Sequence, residues 1–290
     1  MINVGILAYN EEKNIRACIE SVDACLDGLD GKIWVIVNGS TDATADIVRS
    51  IMAENSRVGI RELAVGDKSN AWNEFIHELG DDAAEFHVLI DGDVRILPGS
   101  LQAMSQAFAQ YPDALAASAV PHGGRTSAEW RMRILREHGL PGNFYALSQA
   151  TVRRLRQQNF RFPFGMIGDD TFLLWILRRN FDPRATPRKE WIRPVADAGF
   201  EYDSFEMTIG GVRAHVRRLS RYAVRDVEVK LLIDQITADG LEAMPKDIRQ
   251  LYHRANILSQ FEAPYGKSGY NHRKLFFLLT WLRMKRRALP

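Results

Sequence analysis

The chain has 290 residues, a formal net charge of +2, 46% hydrophobic residues and 26% charged residues. These values are ordinary for a soluble globular protein with a buried core. The near-neutral charge argues neither for nor against nucleic acid as a partner. No apolar run approaches the roughly 18 residues that a membrane span needs, and the N-terminus lacks the basic stretch of a secretion signal. We therefore expect a cytoplasmic protein.

The two cysteines, Cys18 and Cys25, support the same location. They fall in one predicted helix, where a spacing of seven residues separates them by two turns. That distance is too long for an unstrained disulfide. We expect both to be reduced thiols, as is usual in the cytoplasm.

Apolar runs alternate with amphipathic stretches over the first hundred residues. Strands are predicted at residues 2–8, 32–37, 59–65 and 86–90, and helices at 12–24, 43–55 and 69–79. Strands separated by amphipathic helices are typical of βαβ units, whose strands are parallel. The sequence therefore predicts an α/β fold with a mostly parallel, twisted sheet flanked by helices.

Beyond residue 100 the pattern continues and then becomes helical. Helices are predicted at about 98–110, 150–157 and 169–179, strands at 114–121 and 143–147, and a partly helical, arginine-rich stretch at 125–142. Further helices are predicted at 215–236, 246–262 and 274–286. We expect one domain over residues 1–210 and a helical extension over 211–290. The extension ends in a basic segment, because no acidic residue follows Glu262.

Three polar clusters follow predicted strands, namely Tyr9-Asn10-Glu11, residues 38–42 and Asp91-Gly92-Asp93. Ligands of such sheets bind beyond the carboxyl ends of the strands, so the clusters predict one shared site. The carboxylates of Asp91 and Asp93 are hard oxygen ligands that suit a divalent cation. Gly92 leaves room for a bulky ligand to approach the backbone. A plain strand-end turn is the alternative for this last cluster.

Four motifs together resemble family 2 glycosyltransferases, which have the Rossmann-like GT-A fold. They are Ala8-Tyr9-Asn10-Glu11, Asn38-Gly39-Ser40-Thr41-Asp42, Lys68-Ser69-Asn70-Ala71-Trp72-Asn73 and Asp91-Gly92-Asp93. The resemblance covers about residues 2–180. It implies an inverting enzyme that moves one sugar from a nucleotide-diphosphate sugar to an acceptor hydroxyl. It also implies Mn²⁺ or Mg²⁺ as cofactor, to neutralise the charge of the leaving diphosphate.

The resemblance assigns roles to single residues. The residues expected to hold the donor are Ala8, Tyr9, Asn10, Glu11, Asn38, Lys68, Asn73, Asp91, Gly92 and Asp93. Within this set, Asp93 is expected to coordinate the metal directly, with Asp91 on the ribose or on a metal-bound water. Asn38 departs from the family, in which many members have an aspartate that pairs with the base. Two of these donor-binding roles have alternatives. Asn10 could instead be the N-cap of the next helix, and Lys68 could be a solvated cation.

Downstream, Asp169 and Asp170 lie where the family has an acidic pair before a helix. The resemblance makes Asp170 the general base for the acceptor hydroxyl and Asp169 a residue that contacts or orients the acceptor. An acidic helix N-terminus is the alternative. His215 is a candidate third metal ligand, with a surface histidine as its alternative.

The expected partners are the sugar donor and a carbohydrate, lipid-linked or small-molecule acceptor, without nucleic acid. The Gln-x-x-Arg-Trp signature of processive relatives is missing, which favours single addition. Residues 275–282 are apolar, contain Trp281 and have basic flanks, so they predict either a peripheral contact with the inner face of the membrane or packing on the protein itself. Two other functions stay open: a non-catalytic nucleotide-sugar-binding protein and a haloacid-dehalogenase-type phosphatase, whose pattern disagrees with Arg95.

Overall fold

The computed structural model describes residues 1–123, 127–202 and 209–252, without the side chains of 209–220 and 223. In these residues the strands are β1 (Ile2–Ala8), β2 (Gly31–Asn38), β3 (Val58–Leu63), β4 (Phe86–Asp91), β5 (Val94–Ile96), β6 (Ala116–Pro121), β7 (Phe144–Ser148) and β8 (Ile192–Tyr202). The α-helices are α1 (Ile15–Cys25), α2 (Thr44–Glu54), α3 (Lys68–Glu74), α4 (Ser100–Gln110), α5 (Ser127–Glu137), α6 (Gln149–Gln157), α7 (Asp169–Leu177) and α8 (Ile209–Asp239).

The eight strands form one mixed sheet in the order β3-β2-β1-β4-β7-β6-β8-β5. β1, β2, β3 and β4 pair in parallel. Along the chain, each of β1, β2 and β3 is joined to the following strand by a helical crossover, as parallel pairing requires. β7 is antiparallel to both β4 and β6, β8 is parallel to β6, and β5 is antiparallel to β8. The predicted α/β fold with a mostly parallel sheet is confirmed.

The apolar runs of the sequence form the core. All seven residues of β1 and the first five of β4 are buried, as expected for central strands covered on both faces. α1 buries one stripe against the sheet, including Cys18 and Cys25, which are both free thiols. The parallel pairing places the carboxyl ends of β1, β2, β3 and β4 at one edge of the sheet, and the three polar clusters begin there.

Several predicted element bounds are wrong. α1 begins at Ile15 instead of residue 12, because the intervening residues form a turn in which the Asn14 N–H donates to the Glu11 carbonyl. The helix predicted at 69–79 changes to a π-helical turn at Phe75–Leu79. Within the predicted helix 246–262, the described part contains only a short 3₁₀ turn, Ile248–Leu251. The helix predicted at 274–286 lies outside the described residues.

The chain divides into two compact units. The first contains Met1–Arg161 and Leu173–Ser204, and the second contains Phe162–Phe172 and Phe205–Pro290. The segment Phe162–Phe172 therefore groups with the C-terminal residues, although the predicted boundary at residue 210 assigns it to the first domain. No helix in the part of the chain that the structure describes is long and apolar enough to cross a membrane.

Candidate functional site

The loop after β1 is tied to the loop after β2 by hydrogen bonds. Asn10 has a positive φ of 56°, its N–H donates to Ser40 Oγ at 3.0 Å, and its Oδ1 accepts from the Thr41 N–H at 2.8 Å. The Glu11 N–H donates to Thr44 Oγ1 at 2.8 Å. Asn10 therefore does not cap α1, whose N-cap is Asn14. Its side chain instead joins two of the predicted motifs.

Asp42 supports the same junction as a turn residue. Its carboxylate accepts from the Glu12 N–H at 3.1 Å, from the Thr44 N–H at 3.1 Å and from Thr44 Oγ1 at 2.5 Å. Burial alone would raise the pKa of Asp42, but these hydrogen bonds outweigh it and hold the pKa below its ordinary value. Asp42 is thus an ionised anchor for the loop.

Asn38, the last residue of β2, is buried at 4% exposure and holds the start of α3 in place. Its Oδ1 accepts from the Asp67 N–H at 2.7 Å, and the Asp67 carboxylate caps α3 by accepting from the Asn70 N–H at 3.0 Å. Gly39 allows the two loops to meet, because it has a φ of +66° and a Cβ there would lie 2.3 Å from the Gly66 nitrogen. The hydrogen bond from the Asp67 N–H orients the Asn38 amide.

Ala8 and Tyr9 follow one another at the carboxyl end of β1 and differ in exposure. Ala8 is buried at the end of β1, whereas Tyr9 is 54% exposed and its ring lies against Gly66. An exposed aromatic ring beside a glycine offers a flat apolar surface. Binding of the nucleoside by Tyr9 stays a prediction of the resemblance.

Lys68 connects α3 to the acidic motif at the end of β4. Its Nζ lies 2.5 Å from Asp91 Oδ1 and donates to the Gly142 carbonyl at 3.2 Å. Both side chains of the ion pair are only partly exposed, at 33% for Lys68 and 25% for Asp91. Lys68 is therefore not a solvated surface cation. It places a positive charge beside the predicted diphosphate position.

Gly92 lies where β1 and β4 approach each other. Its N–H donates to the Leu7 carbonyl at 2.9 Å, and a Cβ at this position would lie 3.1 Å from Ala8 Cα and 3.2 Å from Glu11 Cγ. A side chain at residue 92 would force these atoms apart. Gly92 therefore lets Glu11 approach Asp91 and Asp93.

These three carboxyl groups interact electrostatically. Burial raises the pKa of Glu11 to about 7. The hydrogen bond from Asn14 opposes this rise, while the charges of Asp93 and Asp91 add to it. Such a concentration of negative charge at the edge of a sheet is stabilised by a bound cation.

The residues present fit a divalent metal that shares its ligands with a substrate. No group of three His, Cys, Asp or Glu side chains with metal-binding geometry occurs among the described residues. A dedicated protein cage is therefore not formed in this region. Mg²⁺ is commonly held by one or two carboxylates together with substrate phosphates and water, and Asp93 and Asp91 provide that smaller set.

The predicted acceptor pair lies in the second unit. Asp169 and Asp170 are the first two residues of α7. Asp169 is 9% exposed, and Asp170 is partly exposed and accepts from the Thr171 N–H at 2.7 Å. Thr171 Oγ1 also lies 3.3 Å from the same Asp170 oxygen, and both aspartates fall in the first turn of α7, where the helix dipole favours negative charge.

The structure gives less information about two other predicted site residues, Asn73 and His215. Asn73 is buried in α3 at 7% exposure. His215 falls within α8, but its side chain is outside the described residues, so its ligand role stays a prediction.

Sequence reasoning missed the supporting contacts of this site. Asp67, the Gly142 carbonyl and Tyr145, which accepts from Trp72 Nε1 at 2.8 Å, all position the α3 motif. Only Asp67 left a signal in the sequence, because an aspartate three residues before Asn70 at the start of a helix is a capping pattern. The other two lie more than 70 residues away along the chain.

The sequence and the fold are similar to those of known proteins. Residues 3–182 match the family model described as glycosyl transferase family 2. The structure is similar to a mannosyltransferase, PcManGT from Pyrobaculum calidifontis, solved with GDP-Man and Mn²⁺, at a TM-score of 0.60 and 15% identity over 99% of this chain and 86% of that one. It is also similar to residues 1–349 of S. aureus TarS solved with UDP-GlcNAc, at a TM-score of 0.52 and 13% identity over 99% and 81% of the two chains. A search of curated protein sequences finds no match.

The family match extends over more than half of the chain and contains all four motifs. It leaves no support for the haloacid-dehalogenase alternative or for a non-catalytic binding protein. The structural similarities confirm the GT-A fold. This chain therefore belongs to glycosyl transferase family 2 and is a glycosyltransferase.

Proposed function

We propose that this protein is an inverting, metal-dependent glycosyltransferase that adds one sugar to an acceptor hydroxyl. The donor is a nucleotide-diphosphate sugar. The observation that carries the proposal is the meeting of Lys68 with Asp91, beside Asp93 and Glu11, at the carboxyl edge of the first four strands. One cation and several carboxylates at this edge suit a diphosphate bound together with a divalent metal.

The donor site is expected to work by charge balance. When bound, a divalent ion neutralises the diphosphate and makes it a better leaving group. Asp93 and Asp91 would hold the ion, and Lys68 would contact a phosphate oxygen. Asn38 and Tyr9 would bind the nucleoside. The nucleotide sugar and Mn²⁺ in the PcManGT structure, and the nucleotide sugar in the TarS structure, support a donor of this class.

The transfer step needs a base for the acceptor. The acceptor oxygen attacks the anomeric carbon from the face opposite the diphosphate, its proton passes to the Asp170 carboxylate, and the bond between the anomeric carbon and the diphosphate oxygen breaks. This single displacement inverts the configuration. Asp169 would orient the acceptor.

The acceptor is a carbohydrate, a lipid-linked sugar or a small molecule, and the proposed location is the cytoplasm. Single addition is proposed because the processive signature is missing. The last basic segment, residues 273–287, lies outside the described residues, and its contact with a membrane or with the protein itself stays a prediction.

A donor panel tests the proposal. GDP-, UDP- and ADP-sugars would be compared by thermal shift with Mn²⁺ and with EDTA. One donor is expected to stabilise the protein only with Mn²⁺, by about 2.7 kcal/mol at a hundredfold excess over its dissociation constant. Asp93→Ala should abolish this shift, whereas the exposed control Asp27→Ala should not. A shift that persists in EDTA would contradict the metal assignment, and the absence of any donor shift would contradict the proposed function.

A further inference from the structure

A cavity of about 420 Å³ lies beside the start of β8, against one face of α4. Its polar lining residues are Gln106, Gln110, Tyr111, His138, Arg193 and Asp197. We call it the α4–β8 cavity. Its volume is in the range of small-molecule sites, and its polar groups come from three separate parts of the first unit.

This cavity is remote from the donor site. Arg193 pairs with Ala117 near the start of β8, whereas Tyr202 at the end of β8 pairs with Val94, which directly follows Asp93. Arg193 and Tyr202 are nine positions apart along β8, which corresponds to roughly 25–30 Å. A ligand in the α4–β8 cavity would therefore not overlap with a donor at Asp93.

The Arg193 guanidinium is held in place, but among the described residues its Nε has no acceptor. It stacks on the Tyr111 ring with its Cζ 4.0 Å from the ring centroid. Its Nε is buried and makes no hydrogen bond within the described part of the chain. No carboxylate of the described residues forms an ion pair with it, although Asp197 lines the same cavity. A buried donor without a partner is costly, and this one belongs to a permanent cation.

The neighbouring groups favour an anion with a polar body. His138 Nδ1 lies 2.8 Å from the Ile192 carbonyl and 3.0 Å from the Lys189 carbonyl, so this nitrogen carries the proton and donates. Its ring is thereby held in a fixed position in the cavity wall. Gln106 and Gln110 lie one turn apart on α4 and supply amide groups that suit hydroxyls.

We propose that the α4–β8 cavity is a second ligand site, which binds a small polar metabolite through a phosphate or carboxylate on Arg193. The planar guanidinium matches both anions with paired hydrogen bonds, and the Tyr111 ring orients it before the ligand arrives. The site does not depend on the proposed donor or metal chemistry.

Isothermal titration with three related ligands tests the proposal. Glucose 6-phosphate and glucuronate carry the two anions on one sugar frame, and glucose carries neither. We expect one or both anionic ligands to bind the wild-type protein and glucose not to bind. Arg193→Gln should weaken binding about tenfold or more, because it removes charge-assisted hydrogen bonds. Arg133→Gln, an exposed change on α5, is the matched control and should bind as the wild type does.

A second variant, Tyr111→Leu, tests the same binding without changing Arg193. Tyr111→Leu removes the ring under the guanidinium at a partly exposed position, so it should fold and still weaken the binding. Binding that is equal in the wild type, Arg193→Gln and Tyr111→Leu would assign the ligand to another site and overturn the proposal. Failure of both anionic ligands to bind the wild type at millimolar concentration would overturn it as well.

Discussion

At the scale of single residues, a backbone contact determines which atom of the Asn38 amide is left for a ligand. Its Oδ1 accepts from the Asp67 N–H at 2.7 Å, so the carbonyl side of the amide is already engaged. The remaining polar atom, Nδ2, is a donor. In the relatives that the sequence resembles, an aspartate would offer an acceptor at this position instead.

This difference predicts a change in base preference for Asn38→Asp. The aspartate keeps one oxygen for the Asp67 N–H and presents the other to the base. Uracil and guanine carry a ring N–H at their pairing edge, whereas cytosine and adenine carry an unprotonated nitrogen. We expect the variant to gain about tenfold in affinity for UDP and GDP relative to CDP and ADP, as one hydrogen bond to a charged group would provide. Titration with the four nucleotides measures the ratio, and an unchanged ratio would show that Asn38 does not contact the base.

Asp170→Asn tests the proposed base. The amide keeps the size of the carboxylate and can still accept from the Thr171 N–H, so the fold should be preserved. It cannot take a proton from the acceptor, and the rate of transfer should fall by roughly 10²–10⁴. Donor affinity should be unchanged. Transfer at the wild-type rate would mean that Asp170 only favours the start of α7.

His87 predicts a pH dependence of stability. It is fully buried in β4, and its Nε2 lies 2.6 Å from Gln149 Oε1. Burial lowers its pKa to about 4, below the ordinary histidine value of about 6.5. Folding therefore favours the neutral ring. Its contribution to the free energy of unfolding is fully present above pH 6.5 and is lost as the pH falls towards 4. The loss amounts to about 3 kcal/mol.

Urea unfolding of the wild type and His87→Asn at pH 7 and pH 4.5 measures this effect. The wild type should lose more stability between the two pH values than the variant does, whatever their stabilities at pH 7. Equal losses would show that His87 does not titrate in this range.

At the scale of elements, α8 holds the loop that leads to the predicted acceptor pair. Glu228 on α8 is 1% exposed, its Oε2 accepts from the Ile167 N–H at 2.8 Å, and its Oε1 accepts from the Tyr252 hydroxyl. Burial, followed by the Glu228 charge, raises the pKa of Tyr252. Because Ile167 lies two residues before Asp169, this buried carboxylate orients the start of α7.

Glu228→Gln is expected to release that loop. The amide loses the charge that strengthens the bond to the Ile167 N–H, so stability should fall by about 1–3 kcal/mol. Hydrogen exchange at the Ile167 amide should accelerate relative to the amides of α8. Asp234→Asn on the same helix breaks only the exposed pair with Lys230 and is the matched control. Unchanged protection at Ile167 in the Gln variant would contradict this role.

The accuracy of sequence prediction also differs among elements. β1 was predicted to the residue and β4 to within one, because continuous apolar runs bounded by polar residues mark central strands. β5 and β8 were missed. β5 has only three residues, and β8 contains Pro194 and Gly199, has no regular alternation of burial and shifts register against β6. Its place in the sheet depends on partners far away in sequence.

The same distinction applies to the site. The candidate site residues stood out because their types suit the proposed chemistry and their motifs follow strands. Apart from the capping pattern of Asp67, the contacts that hold them did not, since Lys68 is held by the Gly142 carbonyl and Asn38 by the Asp67 N–H, which are backbone atoms. A backbone group has no signature in a sequence.

At the scale of the whole molecule, the C-terminal segment has two possible environments, which are an anionic membrane and the protein itself. Residues 275–282 are apolar, and Arg273, Lys274, Lys285, Arg286 and Arg287 flank them. On an anionic membrane each basic residue would contribute about 1 kcal/mol, an attraction that salt would screen. Packed on the protein, the same residues would contribute to stability through their apolar side chains.

We expect the segment to pack on the protein itself, since an apolar helix of this length more commonly completes a core than lies on a lipid surface. Truncation before Arg273 should then lower the melting temperature, and the intact protein should not sediment with anionic vesicles even at low salt. A triple change, Lys285→Gln with Arg286→Gln and Arg287→Gln, is the control, because it removes charge but keeps the apolar residues. It should melt with the wild type. If the intact protein sediments with vesicles at low salt, and both the triple variant and high salt release it, the segment is a membrane contact and a lipid-linked acceptor becomes the favoured substrate.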